Sequence, residues 1–174
     1  MQGKALPAGG KYMSKTEKTN VMRRLDAAKI PYEPLTYEVD ENDLSGVHIA
    51  DQVGLPYDCM FKTLVAHGDK TGPLVFCLPV DREIDLRRAA ALTGNKKIEM
   101  VAVKDLLALT GYIRGGCSPI GMKKRFPTYI HESALNFDKI TVSAGVRGIQ
   151  LLLSRAALLD YLGAKTAFFA QGDE

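Results

Sequence analysis

The chain has 174 residues, 46% of them hydrophobic and 25% charged. This ordinary globular composition excludes disordered and collagen-like classes, and the length suits one domain with a proper core. The net charge of +3 permits a polyanionic partner without requiring one, so any basic footprint has to be local.

Met1–Tyr12 is aperiodic, lacks the apolar core of an export signal and is followed by a second methionine, Met13. Residues 1–13 therefore read as a disordered leader or a remnant of expression, and 14–174 as the domain. Ser14 with Glu17 forms a capping-box pattern ahead of Val21, Met22, Leu25 and Ala28, which predicts a helix that Pro31 ends. Leu35, Tyr37 and Val39 alternate with polar residues as a half-buried strand does. Val47 to Val53 is a short helix closed by Gly54. Met60–His67 and Leu74–Val80 are strands joined by a hairpin loop at Gly68–Gly72. Asp85 caps a helix through Leu92 that stops at Gly94, and a short β segment follows at Ile98–Val101. A helix over Lys104–Leu109 stops at Gly111. Next come the loop Gly115–Gly121, a basic stretch, and strands near Thr128–His131, Ile140–Ser143 and Ile149–Leu153. Ser154 caps a last helix ending at Gly163.

Hairpins mixed with single helices are not the strict alternation of a doubly wound sheet. The expectation is one mixed α/β (α+β) domain with a sizeable sheet. No apolar run approaches the roughly 18 residues of a membrane-spanning helix, so no membrane partner is expected. Three cysteines with wide gaps argue against a disulfide framework, and the three histidines have no ligand-like spacing, so no metal is expected. Reduced thiols without an export signal point to the cytoplasm.

Three features could carry chemistry. Period two puts Lys62 on the strand face of Met60, Leu64 and Ala66. It either snorkels or guards an edge, or it is directed into a pocket to meet an anionic or carbonyl oxygen. Gly115-Gly116-Cys117-Ser118-Pro119-Ile120-Gly121 is a tight loop whose backbone can approach a ligand. It is either a plain turn or a carbonyl-binding hole of backbone N–H groups. It is not a Walker A loop, because Met122 and Lys123 stand where Lys and then Ser/Thr are needed; nor is it a GxSxG elbow. Lys123, Lys124 and Arg125 follow this loop and Arg114 precedes it, which suits a phosphate-lined approach or a solvated surface. Cys117 has no evident base and reads more readily as a small hydrophobe. Tyr37 reads as core with a hydroxyl able to line a pocket.

Thr36-Tyr37-Glu38, Phe61-Lys62-Thr63-Leu64, the Gly115–Gly121 loop and Val142-Ser143-Ala144-Gly145 with Arg147-Gly148 together resemble the YbaK/EbsC family, in matching order over roughly Thr19 to Ala170. These are free-standing relatives of the editing domain of bacterial prolyl-tRNA synthetase. The resemblance implies a curved, partly barrel-like mixed sheet surrounded by helices. It implies removal of cysteine mischarged on tRNA(Pro), with the substrate's own thiol attacking its ester, and no cofactor. Lys62 and Gly116 are then the expected catalytic positions. Tyr37, Thr63, Gly115, Ser118, Pro119, Ser143, Gly145, Arg147 and Gly148 would bind substrate. Arg114, Lys123, Lys124 and Arg125 would meet the tRNA, and prolyl-tRNA synthetase is a possible partner. Two positions depart from the family pattern: Val146 stands where a lysine is common and Gln150 where an acid is common. They leave open a deacylase for another amino acid such as alanine, or a non-catalytic module that binds tRNA or a synthetase.

Overall fold

The computed structural model describes residues 17–174. Helix α1 spans Asn20–Ala27 and turns Val21, Met22 and Leu25 inward. Its N-cap is Thr19, whose hydroxyl accepts the Met22 N–H at 3.2 Å. The expected capping box is therefore not the helix start: Ser14 lies outside the described residues, and Glu17 lies ahead of the helix. Strand β1 spans Tyr32–Thr36, three residues earlier than the alternation suggests. It is an edge strand, so Pro34, which has no N–H to donate, is tolerated within it.

Helix α2 (Gly46–Val53) and a 3₁₀ turn (Tyr57–Cys59) lead to the hairpin of β2 (Phe61–Gly68) and β3 (Gly72–Pro79). Then follow α3 (Leu86–Thr93), β4 (Ile98–Met100) and α4 (Val103–Thr110). After the glycine loop come β5 (Thr128–His131), a second 3₁₀ turn (Glu132–Asn136), β6 (Lys139–Ser143), β7 (Ile149–Ser154), α5 (Arg155–Leu162) and β8 (Lys165–Ala167). The caps at Asp85 and Ser154 form as expected.

The strands make a three-stranded antiparallel sheet, β1-β7-β6, and a five-stranded mixed sheet, β4-β2-β3-β5-β8. Within the larger sheet β3 pairs antiparallel to β2 and parallel to β5. The two sheets meet at a single bridge between Met60 and Thr141 and do not close. The architecture is thus two sheets rather than one partly barrel-like sheet. The reason lies in β2: it pairs with β3 along its whole length, but β4 covers its other edge only at Ala66–Gly68.

Strand β3 is buried on both faces, which fits its unbroken apolar run. Val75 and Cys77 pack with α1, α5 and the inner face of the smaller sheet. Leu74, Phe76 and Leu78 pack with α3 and Phe169 on the other side. The larger sheet is therefore the middle layer. Among the described residues no helix is long and apolar enough to cross a membrane.

Candidate active site

The incomplete pairing of β2 leaves the Lys62–Leu64 stretch of its edge without a strand partner. A cavity of about 550 Å³ opens there. The start of α2, β2, the loop after β3, α4 and the glycine loop surround it. Its walls are mostly apolar, with few polar groups, as in small-molecule sites. Polar groups come from distant stretches of chain, among them Lys62 and Thr63 from β2, Asp81 and Glu83 from the loop after β3, Arg114 and Gly115 from the glycine loop, and Ser143 and Gln150 from β6 and β7.

Lys62 shares its strand face with Leu64 and Ala66, which turn to the α3 side. Its side chain is 23% exposed, and Nζ lies 3.5 Å from the carboxylate of Glu83, which is 71% exposed. A pair so open to water is weak and easily displaced. Thr63 faces the other way, with its hydroxyl 3.7 Å from Cys77 Sγ. Ser143 and Gln150 are cross-strand partners. The Ser143 hydroxyl accepts the Gly145 N–H at 3.1 Å, and Gln150 Oε1 accepts from the Thr141 hydroxyl at 3.2 Å.

The glycine loop and the turn at Val146–Gly148 lie against each other. A Cβ on Gly116 would sit 3.0 Å from the Val146 carbonyl carbon and 3.1 Å from the Arg147 nitrogen. Glycine allows this approach, whereas a side chain would need the facing backbone to give by a few tenths of an ångström. The Gly116 N–H is donated to the Ile113 carbonyl at 3.0 Å, and Gly116 does not line the cavity. Gly115 is the member of the pair that lines it. Arg147 lies over Gly115 and donates from Nε to the Arg114 carbonyl at 2.9 Å, tying turn to loop. Ser118 is fully buried and its hydroxyl accepts the Ile120 N–H. Gly145 packs on Val21 and Tyr112. The Gly148 carbonyl accepts the Tyr37 N–H at 2.9 Å, where β1 leaves the sheet.

Tyr37 lies in a small side cavity that Gly115 also lines. Burial pushes its phenol up, partly offset by hydrogen bonds from the Gly148 backbone and the Gln150 side chain. Pro119, Lys124 and Arg125 line a separate cavity of about 110 Å³ together with Arg24 and Tyr161. Lys123 Nζ donates to the Ala108 carbonyl in the last turn of α4, as a C-terminal cation does. Cys117 does line the main cavity, but burial pushes its thiol up to about 12. It is a protonated thiol near neutral pH and not an activated nucleophile. Among the described residues no three His, Cys, Asp or Glu side chains are grouped to hold a metal ion.

Of the expected residues, then, Lys62, Thr63, Arg114, Gly115 and Ser143 meet in one cavity. Gly116, Ser118, Gly145, Arg147 and Gly148 build the frame around it. The sequence reading missed Asp81 and Glu83, which line the cavity from the loop after β3. No motif marks them. Gln150 was noticed as a departure, and the structure puts it in the wall.

The family model for the aminoacyl-tRNA editing domain matches residues 45–161. The chain is 48% identical over 151 residues to the "Putative Cys-tRNA(Pro)/Cys-tRNA(Cys) deacylase EbsC" of Enterococcus faecalis, covering 87% of this chain and 92% of that protein. A solved structure described as "a putative trans-editing enzyme for prolyl tRNA synthetase" superposes with a TM-score of 0.74 at 23% identity, over 90% of this chain and all of that one. A scaffold protein solved for computational epitope grafting superposes with a TM-score of 0.75 at 24% identity, over 88% of this chain and 96% of that one. Those two likenesses concern the fold alone. The family match spans the cavity from α2 to α5, and with it this chain belongs to the aminoacyl-tRNA editing domain family.

Proposed function

We propose that the chain is a trans-editing deacylase that removes cysteine from mischarged tRNA(Pro). The observation that carries this reading is the meeting of Lys62 and Gly115 in one cavity from stretches some fifty residues apart in the chain. The substrate would place its ester carbonyl between the Lys62 ammonium and the Gly115 backbone. The cysteinyl sulfur attacks that carbonyl, the bond to the terminal ribose oxygen breaks, and the thiol proton ends on that oxygen. A cyclic thiolactone leaves with intact tRNA. Lys62 offsets the charge that develops on the carbonyl oxygen. A protein nucleophile is not needed, which agrees with a Cys117 thiol held protonated by burial.

Arg114, at the cavity, and Lys124 and Arg125, around the second cavity, would meet tRNA phosphates. The Enterococcus relative's name couples one amino acid to two tRNAs, which supports a site that reads the aminoacyl group more than the tRNA. Prolyl-tRNA synthetase would then supply the tRNA selectivity, in the cytoplasm. The test is a deacylation time course with Cys-tRNA(Pro), Ala-tRNA(Pro) and Pro-tRNA(Pro). Selective loss of the cysteine ester is expected. Preferential loss of the alanine ester would reassign the substrate, and stability of all three would leave a tRNA-binding module.

A further inference from the structure

Among the described residues, a cluster of titratable side chains outside the cavity surrounds Asp173. His131 is 1% exposed and sits at the end of β5. Its Nε2 lies 2.7 Å from Asp173 Oδ2, and its Nδ1 lies 2.9 Å from the Ser133 hydroxyl. This resembles a Ser-His-Asp array, but it is not placed as a nucleophile. Nδ1 also accepts the Ser133 backbone N–H at 3.2 Å, and none of the three residues lines the cavity.

The cluster instead fastens one segment to another. Asp173 accepts from Arg82 Nη2 at 2.9 Å and from the Ala170 N–H at 2.8 Å. Arg82 also donates to the Gln171 carbonyl, and Arg88 to the Asp173 carbonyl. The Gln171 N–H donates to the Glu83 carbonyl at 2.8 Å, Ile84 bridges Ala170, and the Asp85 N–H donates to the Phe169 carbonyl at 2.7 Å. The loop so gripped, Asp81–Asp85, is the cavity wall whose Glu83 carboxylate reaches Lys62. An exposed ion pair is too weak to fix its own geometry. The backbone on both sides of Glu83 is fixed for it by the Phe169–Gln171 segment, which the Asp173 carboxylate holds in turn through the Ala170 N–H.

We infer that Asp173 is a positioning residue: through Arg82 and the Ala170–Asp173 segment it holds Glu83 over Lys62 and so sets where the Lys62 ammonium stands in the cavity. Its catalytic meaning rests on the deacylase reading; the clamp itself does not. In the full chain, the rate of Lys62 acetylation by an amine-reactive acetyl ester is read by peptide mass spectrometry. Lys70, in the β2–β3 turn, serves as internal control. Asp173→Asn and Glu83→Gln are each expected to expose Lys62 and raise its rate about fivefold, with Lys70 unchanged. The double variant is expected to match Glu83→Gln alone, because the clamp acts through Glu83. Arg82→Gln, which cuts one link at the partly exposed rim, gives the same reading should Asp173→Asn fail to fold. Lys62 rates equal to wild type in the folded Asp173→Asn or Arg82→Gln chain overturn the inference. So does an additive double variant, which would show general loosening. In parallel, kcat for Cys-tRNA(Pro) is followed. A clamp seen by acetylation in a chain that deacylates nothing would retain the clamp and reject the deacylase.

Discussion

On the proposed reading, Lys62 is the residue on which the chemistry turns. Its side chain lines a mostly apolar cavity, and its ammonium has a weak, displaceable partner in Glu83. Lys62→Ala is expected to lower kcat by about 10²–10³, the range for losing one oxyanion partner, with the melting temperature nearly unchanged. Cys117 makes the opposite case. With its thiol near 12, Cys117→Ala should leave kcat within about twofold and cost on the order of 1 kcal/mol by denaturant titration, from the small void left behind. Asp173 carries a pH signature. Burial pushes its carboxyl up, but hydrogen bonds from His131, the Ala170 N–H and Arg82 outweigh burial and hold it at about 2. A carboxyl depressed in the folded state adds stability that is present above its ordinary unfolded value, roughly 3.9, and is lost as pH falls towards the folded one. Urea midpoints measured from pH 5 to pH 2 should therefore fall in wild type with a steeper slope than in Asp173→Asn.

At the scale of elements, the glycine loop and the Val146–Gly148 turn act as one unit. Gly116→Ala would drive a methyl group into the Val146–Arg147 backbone. It should destabilise the fold by about 1–3 kcal/mol and lower deacylation as well, because Gly115 would shift with it. The loop could be singled out from sequence because its glycines and Ser-Pro break all periodicity. Which glycine lines the cavity could not, since that depends on the Gly116 N–H bonding Ile113 and on a turn thirty residues downstream. Local signals located most elements. Asp85 and Ser154 cap their helices, and Leu74–Val80 reads as a strand returning from a hairpin. They failed where pairing decides. β1 begins at Tyr32 because β7 pairs there, and the three residues of β8 have no pattern of their own beyond lying alongside β5. Helix α1 begins at Asn20, next to its apolar face, with the Thr19 hydroxyl as its cap.

For the whole molecule, the mixed α/β class was legible from hairpins interleaved with single helices. That the strands split into two sheets was not, because closure depends on how much of the β2 edge β4 covers. That gap is also where the candidate site opens. The same half-covered edge that prevents closure exposes Lys62 and Thr63, so the fold's irregularity and its cavity have one origin. The Asp173 cluster was invisible for a related reason: it joins positions about ninety residues apart, with no motif at either end. With a net charge of only +3, tRNA affinity should come from a few local cations. Binding to tRNA should weaken by about one to three decades between 50 and 200 mM salt, with a slope of about three to four ions. Lys124→Ala should reduce that slope by about one, measured by filter binding across a salt series.

On the proposed reading, this cavity edits through Lys62. The most direct measurement is single-turnover deacylation of Cys-tRNA(Pro) by wild type and Lys62→Ala at saturating protein, with the released product identified by mass. The account predicts thiolactone release by wild type and a rate at least about a hundredfold lower in the variant. Equal rates in the two proteins, or free cysteine as the first product, would contradict it.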